Sequence, residues 1–372
     1  MVSAPAPRLL TAPTYLPALT GIRAVAAYLV YLHHFNPFPP DSGHGLVRLL
    51  HRVAVELHVG VPVFFVLSGF LITLRYYGTQ QPAGRWWGRY LRNRAARIYP
   101  LYFLLTCLSF AALYRAQHRF DLSVWWYNVT FLRGFFDEYK FTGIRQGWTL
   151  TVEECFYLLA PLVFAVVQRQ RRALWLLPVL LLGAGLALVL VLGPLRYHGL
   201  FGNTPFMLLY TFFGRSTEFF VGIQLALWYR NGQLRVPAMR LTYTAAGALG
   251  AAAVVAGLVA LQGAPYSYGQ HHPLGIVLNN VVLPGALAVG FAGLLTEETG
   301  FRRFLRTAPM QVLGKSSYAF YLVHLGFAQE TVQNRLTSHQ LGQFVALNVL
   351  AVGLYYGLEQ PLQRRLRAPA AP

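Results

Sequence analysis

Charged side chains are scarce in this sequence. Only 12% of its 372 residues are charged, whereas 55% are hydrophobic, 15% are aromatic and the mean hydropathy is +0.43. Ordinary soluble domains carry about 25% charged residues. The composition therefore excludes a typical soluble enzyme and indicates a chain that mostly faces lipid.

Cysteine and the common ligand-binding motifs are also scarce. The two cysteines, Cys107 and Cys155, both lie in apolar segments, which excludes a disulfide framework. The sequence has no zinc-ligand spacing, no glycine-rich phosphate loop and no internal repeat, so we predict no metal site. The strict alternation of an outer-membrane barrel is missing as well.

Long apolar stretches recur along the whole chain. A helix needs about 20 residues to cross a bilayer, and lipid satisfies no backbone groups, so these stretches should be helices. We predict an all-α, polytopic integral membrane bundle of about ten transmembrane helices, as one domain without an appended soluble domain. The predicted spans lie near residues 16–35, 57–76, 98–114, 147–167, 173–193, 206–229, 243–262, 275–295, 312–334 and 341–358.

Basic residues outnumber acidic residues by 31 to 12. One alternate set of loops holds about twice as many lysines and arginines as the other, which predicts that both termini are cytoplasmic. The expected location is the cell membrane, plasma or inner, with several passes. Topology and attraction to anionic lipid account for the net charge of +19, so membrane lipid is an expected partner and nucleic acid is not.

The first predicted span carries two ionisable residues on one face. Arg23 and His34 are eleven residues apart, which leaves them about 20° from eclipsed and about 16 Å apart along the axis. One interpretation is an anion held at Arg23 and general-base chemistry at His34. The alternative is that Arg23 snorkels to the interface and His34 caps it.

The fourth predicted span opens with carboxylates at the same outer level as His34. Thr151, Glu154 and Tyr157 recur at a spacing of three and share a helix face, whereas Glu153 points elsewhere. A carboxylate beside an imidazole can fix its tautomer, so Glu154 is a candidate to orient His34. The alternative is a merely polar helix start.

Three further sets of polar residues carry open alternatives. Arg94 and Arg97 lie three apart at the cytoplasmic boundary, where they form either a fork for phosphates or ordinary positive-inside anchors. Arg215 and Glu218 are expected to neutralise each other as a structural pair. His324 is expected either to line the same cavity, with Ser316, Ser317 and Tyr318, or to hydrogen-bond between helices.

Several ordered motifs resemble the membrane acyltransferase-3 family. They comprise Gly21-Ile22-Arg23 through His34, the run from Phe64 through Ser68 to Ile72, Arg94 to Arg97 followed by Tyr99-Pro100, Trp148 to Tyr157, and Gly314 through His324. Together they cover nearly the whole chain in family order. Thr151 stands where the family pattern usually has serine, and it keeps the hydroxyl.

The resemblance implies a ten-helix acyltransferase that takes an acyl group, usually acetyl, from cytoplasmic acyl-CoA. The acceptor would be a hydroxyl of a glycan, lipid or small molecule. Arg23, Arg94 and Arg97 would bind the donor, and His34 with Glu154 would be catalytic. Thr151, Tyr157, Ser68, Trp148 and His324 would support the site or contact substrate. Because many relatives carry a fused extracytoplasmic domain, any second transfer step is expected to need a separate protein.

A different class of protein also keeps ionisable residues inside its bundle. A proton-coupled transporter or glycan flippase would do so, usually with inverted repeats or paired broken helices. The sequence shows neither feature, and its ordered motifs favour the enzyme. Its residues do not select the acceptor, nor do they separate direct transfer from an acyl-histidine intermediate.

Overall fold

The computed structural model describes residues 15–78, 83–234, 242–263 and 267–368. Within these ranges the regular structure is helical, apart from one isolated bridge between Phe136 and Leu200, and this confirms the all-α prediction. The helices of the first half are α1 Pro17–His34, α2 Gly45–Val55, α3 Gly60–Tyr76, α4 Ala83–Gln117, α5 Leu122–Val129, α6 Trp148–Arg169 and α7 Ala173–Leu192.

The second half continues the bundle with shorter and more interrupted helices. These are α8 Thr204–Tyr210, α9 Phe212–Arg230, α10 Tyr243–Leu261, α11 Pro273–Val277, α12 Leu283–Thr296, α13 Gly300–Leu305, α14 Ala308–Val323, α15 Phe327–Arg335, α16 Gln340–Leu354 and α17 Gln360–Leu366. Two π-helical turns, Leu278–Val282 and Tyr355–Glu359, join α11 to α12 and α16 to α17.

Within the described ranges, seven helical segments are long and apolar enough to cross a membrane. The predicted span near 206–229 is divided at Thr211, where α8 ends and α9 begins. The predicted span near 312–334 is likewise divided, because the chain turns at Gly326 with a positive φ of 82°. The chain is a multi-pass helical bundle, and ten crossings stay a prediction.

The cytoplasmic orientation of both termini also stays a prediction. Arg8, Arg235 and Arg240 contribute to the predicted inner charge and lie outside the described residues, as does the side chain of Arg85. Below, "outer" and "inner" follow the predicted orientation. By that convention, the C-terminal end of α1 is outer.

The bundle is organised around α3 and surrounded by lipid-facing helices. In the apolar window that contains α3, 78% of the residues are buried, whereas only 6% are buried in the window of α7. Burial of α3 follows from its near-continuous apolar sequence, and α7 is equally apolar because its neighbours are lipid chains.

Small residues let the central helices approach closely. A Cβ at Gly69 of α3 would collide with the backbone carbonyl of Phe219, and one at Gly222 of α9 would collide with that of Val66. Such glycine contacts replace the hydrophobic driving force that helices lack inside lipid. The close packing fixes Ser68, the neighbour of Gly69, toward α6.

Candidate active site

His34 ends α1 in a group of imidazole rings at the outer side. Its ring centroid lies 4.7 Å from that of His33 and 5.4 Å from that of His324. His34 is solvent-accessible although protein atoms surround most of its ring. An accessible imidazole that is largely enclosed can meet a substrate while bulk water is limited.

His324 lies beside His34 and has one nitrogen without a partner. Its Nδ1 is 2.9 Å from the carbonyl oxygen of Tyr321, and because a carbonyl only accepts, Nδ1 carries the proton. Its Nε2 is buried without a hydrogen-bond partner in the described residues. That nitrogen is therefore a free acceptor close to the His34 ring.

A second pair of histidines supports the first. The Nδ1 of His33 lies 2.7 Å from the carbonyl oxygen of Val55, which it donates to. The Nε2 of His58 lies 3.0 Å from a carboxylate oxygen of Glu56, which is fully buried. The His33 and His58 rings are 5.5 Å apart. The outer site is thus a layered cluster of imidazoles whose orientations are fixed by acceptors.

The structure does not place Glu154 beside His34. Helix α6 meets the end of α14 at Thr149, whose hydroxyl lies 3.0 Å from that of Tyr321. Glu154 is five residues further along, about 8 Å toward the inner side. Its charged neighbours are the preceding glutamate and Arg94. The predicted pairing is not formed because the descent of α6 carries Glu154 past the level of His34.

Glu153, not Glu154, connects α6 to α3. The Ser68 hydroxyl and the Tyr157 hydroxyl both donate to the same Glu153 oxygen. Ser68 and Tyr157 themselves are 3.4 Å apart. The structure thus brings the predicted residues Ser68 and Tyr157 together through the carboxylate of Glu153, which the sequence-based prediction had placed outside the site.

Two other residues of the fourth-span motif serve the outer loop. The Thr151 hydroxyl donates to the carbonyl of Phe131 at 2.6 Å, which holds a residue with a left-handed φ of 60°. Trp148 packs edge-on against Tyr210 with ring centroids 4.9 Å apart. Thr151, Glu154 and Tyr157 therefore do not form one cluster, since each contacts a different part of the bundle.

Arg94 lies at the inner end of the site, on α4. It is buried, with its guanidinium 5.7 Å from the Tyr76 ring centroid and 5.9 Å from that of Tyr157. Its Nε has no hydrogen-bond partner in the described residues. Cation–π contacts hold the charge in place and leave part of its donor capacity unused.

Arg23 and Arg97 face each other across the same inner space. The main charged groups that act on Arg23 are Arg97, Glu359 and Glu153. Within the described ranges, neither Arg23 nor Arg97 forms a hydrogen bond or ion pair, and both side chains are half-buried. Two accessible guanidiniums without partners make a site for an anion.

Glu359 joins this inner group from the C-terminal part of the chain. It is 4% exposed, ends the π-helical turn after α16, and has one carboxylate oxygen without a hydrogen-bond partner in the described structure. Arg97 and Arg23 are the charged groups that act on it. Such π-turns often occur at functional sites.

The inner mouth of the site carries further positive charge. Burial, followed by the guanidiniums of Arg75, Arg94 and Arg97, lowers the pKa of Arg367. Nearby, Arg92 Nε donates to the carbonyl of Leu366 at 2.8 Å and fixes the C-terminal segment there. The arginines therefore form a concentrated cationic region instead of a diffuse inner-side excess.

Other polar residues identified from the sequence are structural. Arg215 and Glu218 form a buried ion pair, 2.8 Å between Nη2 and Oε1, which confirms the predicted pair. The Ser317 hydroxyl donates to the backbone of its own helix, and Tyr318 donates to the carbonyl of Ile98 at 2.8 Å. The Ser317 and Tyr318 hydroxyls are thus satisfied by helix packing.

Sequence reasoning missed three residues of the two sites, and it directed a fourth, Glu153, toward an interhelical partner without naming that partner. His58 and Glu56 lie two apart just before the third helix, and Glu359 follows the last predicted span by one residue. Ionisable residues beside or inside apolar segments were the available signal. For Glu153, the missing information was which face of α6 meets α3.

Comparisons with known proteins identify the family. The profile of the family described as an acyltransferase domain matches residues 16–358, which is nearly the whole chain. The chain therefore belongs to the acyltransferase-3 family. No solved structure matches it significantly.

Similar proteins include bacterial acyltransferases. The chain is 26% identical to O-acetyltransferase OatA of Staphylococcus aureus, over 84% of this chain and 50% of that protein. It is 28% identical to acyltransferase MdmB of Streptomyces mycarofaciens, over 96% and 94%. It is 24% identical to the putative peptidoglycan O-acetyltransferase YrhL of Bacillus subtilis, over 94% and 55%. The chain thus spans about half the length of OatA and YrhL.

Proposed function

We propose that this protein transfers an acyl group, acetyl by default, from cytoplasmic acyl-CoA to a hydroxyl of a glycan, lipid-linked sugar or related small molecule in the cell membrane. The observation that carries the proposal is that α1 holds different chemical groups at its two ends. The guanidiniums of Arg23 and Arg97 lie near each other at the inner end, and an accessible imidazole, His34, lies about 16 Å away at the outer end. The names of the relatives support O-acyl transfer.

The donor end follows from charge. CoA carries several phosphates, and Arg23, Arg94 and Arg97 offer unused donors at the inner side. A phosphate group held there leaves the flexible pantetheine arm to extend between the helices. The thioester then reaches the outer end of α1, where His34 lies.

The chemistry follows from the imidazole group. His34 takes the proton of the acceptor hydroxyl as its oxygen attacks the thioester carbonyl carbon. The carbon–sulfur bond breaks, and the leaving thiolate takes the proton back from the imidazolium. An acyl-imidazole route would use the same ring as nucleophile. The free Nε2 of His324 favours this residue, in place of Glu154, as the group that orients His34.

The test is release of CoA from acetyl-CoA by the purified chain in lipid nanodiscs. We expect His34→Ala to lower the rate by about 10²- to 10⁴-fold, the usual contribution of a general base. The matched control is His339→Ala, because His339 is exposed and its side chain caps no helix. A fully active His34→Ala protein, or a wild-type protein that translocates a glycan without cleaving acetyl-CoA, would contradict the proposal. The second result would favour a transporter.

A further inference from the structure

A cavity of about 470 Å³ opens at the outer side, next to the imidazole cluster. Aromatic rings form much of its wall, contributed by Phe141, Phe206, Tyr210 and Tyr268. The Phe141 and Tyr210 rings meet edge-on at 5.6 Å. Aromatic faces in a concave site bind flat apolar surfaces of a ligand.

A short series of ring contacts connects the wall of the cavity to His34. Tyr268, in the wall, has its ring centroid 5.3 Å from that of His33, and His33 is 4.7 Å from His34. On another side, the wall residue Tyr210 packs against Trp148, which begins α6. One imidazole ring, that of His33, thus separates the wall residue Tyr268 from His34, so the cavity lies beside the outer site.

The buried carboxylate of Glu56 connects the wall of the cavity to the histidines. One oxygen of Glu56 accepts from the backbone N–H of Gly269 at 2.8 Å and from Gln262 Nε2 at 2.6 Å. The other oxygen accepts from His58. Glu56 thus ties the segment that carries Tyr268 to the imidazole cluster, and the cavity is a built part of the site.

The polar groups of the wall neutralise one another. Lys140 pairs with Asp137, and Asn203 Nδ2 donates to the other oxygen of Asp137 at 2.9 Å. Burial, followed by the neighbouring His58, lowers the pKa of His271 and favours its neutral form. The wall therefore offers hydrogen-bonding groups without a net charge that would call for an ionic ligand.

We infer that this cavity binds a pyranose ring of the acceptor and directs one of its hydroxyls to His34. A pyranose has C–H faces that stack on aromatic rings and equatorial hydroxyls that hydrogen-bond to amide, ammonium and carboxylate groups. The cavity combines both features, since aromatic rings and the amide, ammonium and carboxylate groups of Asn203, Lys140 and Asp137 line it together. The inference rests on the proposed function for the role of His34, but sugar binding itself requires no chemistry.

The experiment is titration of the full chain in nanodiscs with two neutral probes, chitotetraose and cellotetraose, in the absence of acyl-CoA. We expect at least one probe to bind, Phe141→Ala to weaken that binding about ten-fold, and Phe141→Trp to restore it. The matched control is Trp126→Ala, an exposed aromatic residue of α5 that is not among the lining residues of the cavity. It should leave the affinity unchanged.

Three results would overturn the inference. Neither probe binds the wild-type protein, Phe141→Ala binds as tightly as wild type, or Trp126→Ala weakens binding equally. CoA release by the wild-type protein is measured separately. Sugar binding without CoA release would count against the proposed function alone, and CoA release without sugar binding would count against this inference alone.

Discussion

The two ends of α1 lie among different ionisable groups. At the inner end, arginines outnumber the two carboxylates, Glu359 and Glu153, that act on Arg23, so an anion is favoured there. At the outer end, imidazoles surround His34. Hydrogen bonds to the Val55 carbonyl and to Glu56 fix the orientations of His33 and His58. One helix thus separates an electrostatic binding region from a region suited to proton transfer.

The largest effect should come from the outer end. We expect His324→Ala to lower kcat for CoA release by about 100-fold while the KM for acetyl-CoA stays nearly constant, because in the proposed mechanism His324 orients His34 and contacts no donor phosphate. His324→Asn, which keeps a donor for the Tyr321 carbonyl and a side-chain acceptor, should recover part of the loss.

Glu154→Gln is the comparison for His324→Ala. Since Glu154 lies about 8 Å inward of Thr149 along α6, with Glu153 and Arg94 as its charged neighbours, we expect its effect on kcat to stay below about five-fold. If Glu154→Gln proved the more damaging change, the sequence-based pairing of Glu154 with His34 would be restored. If His324→Ala also raised the KM for acetyl-CoA, His324 would act through folding or donor binding.

Substitutions at the inner end should change the KM for acetyl-CoA. Removing one charged donor from a phosphate site costs about 1.5–3 kcal/mol, so we expect Arg97→Gln to raise the KM for acetyl-CoA at least ten-fold with a smaller change in kcat. The control is Arg172→Gln, which removes an equal charge from an exposed position before α7. Equal effects of both variants would mean that general surface charge, not a built site, attracts the donor.

Glu359 should give a smaller effect of the opposite sign. Its carboxylate acts on Arg97 and Arg23 and would repel a phosphate placed between them. We therefore expect Glu359→Gln to tighten CoA binding two- to five-fold, as measured by titration with CoA alone. Weaker binding in Glu359→Gln would show instead that the carboxylate positions the arginines.

Helical periodicity alone predicts part of this site. Arg23 and His34 share a face because eleven residues make about three turns, and the structure keeps α1 unbroken between them. Periodicity cannot choose between Glu153 and Glu154, since adjacent residues differ by about 100° and the partner helix decides which one is used. The partner helix is α3, whose Ser68 donates to Glu153. The glycine contact between α3 and α9 fixes the position of Ser68.

The remaining differences arise from breaks in regular helices. A strict helical pattern ends the last predicted span at residue 358, whereas the π-turn carries Glu359 inward to the arginines. The break at Thr211 and the turn at Gly326 divide two predicted spans in the same manner. Local composition does not reveal such breaks, because tertiary packing satisfies the freed backbone groups.

Another carboxylate on the inner side, Glu297, shows what a purely structural carboxylate does there. Burial alone would raise the pKa of Glu297, but the hydroxyl and N–H of Thr244 and the N–H of Tyr243 all donate to it and lower the pKa below its usual value. These N–H groups begin α10, so the ionised carboxylate stabilises that helix end. A lowered pKa means that this stability is present above the unfolded-state pKa of about 4.3 and is lost as the pH falls through the folded-state pKa.

We therefore expect Glu297→Gln to destabilise the folded protein by about 1 kcal/mol at pH 7, with a difference that shrinks as the pH is lowered below about 4. Thermal unfolding in detergent between pH 3.5 and 7 measures it. Glu298→Gln is the adjacent control, since Glu298 is exposed and its ion pair with Arg302 at 2.9 Å should contribute little. CoA affinity should not change in Glu297→Gln, because backbone donors, and not the arginines around Arg23, hold this carboxylate. A change in CoA affinity equal to that of Glu359→Gln would erase the distinction between structural and site carboxylates on the inner side.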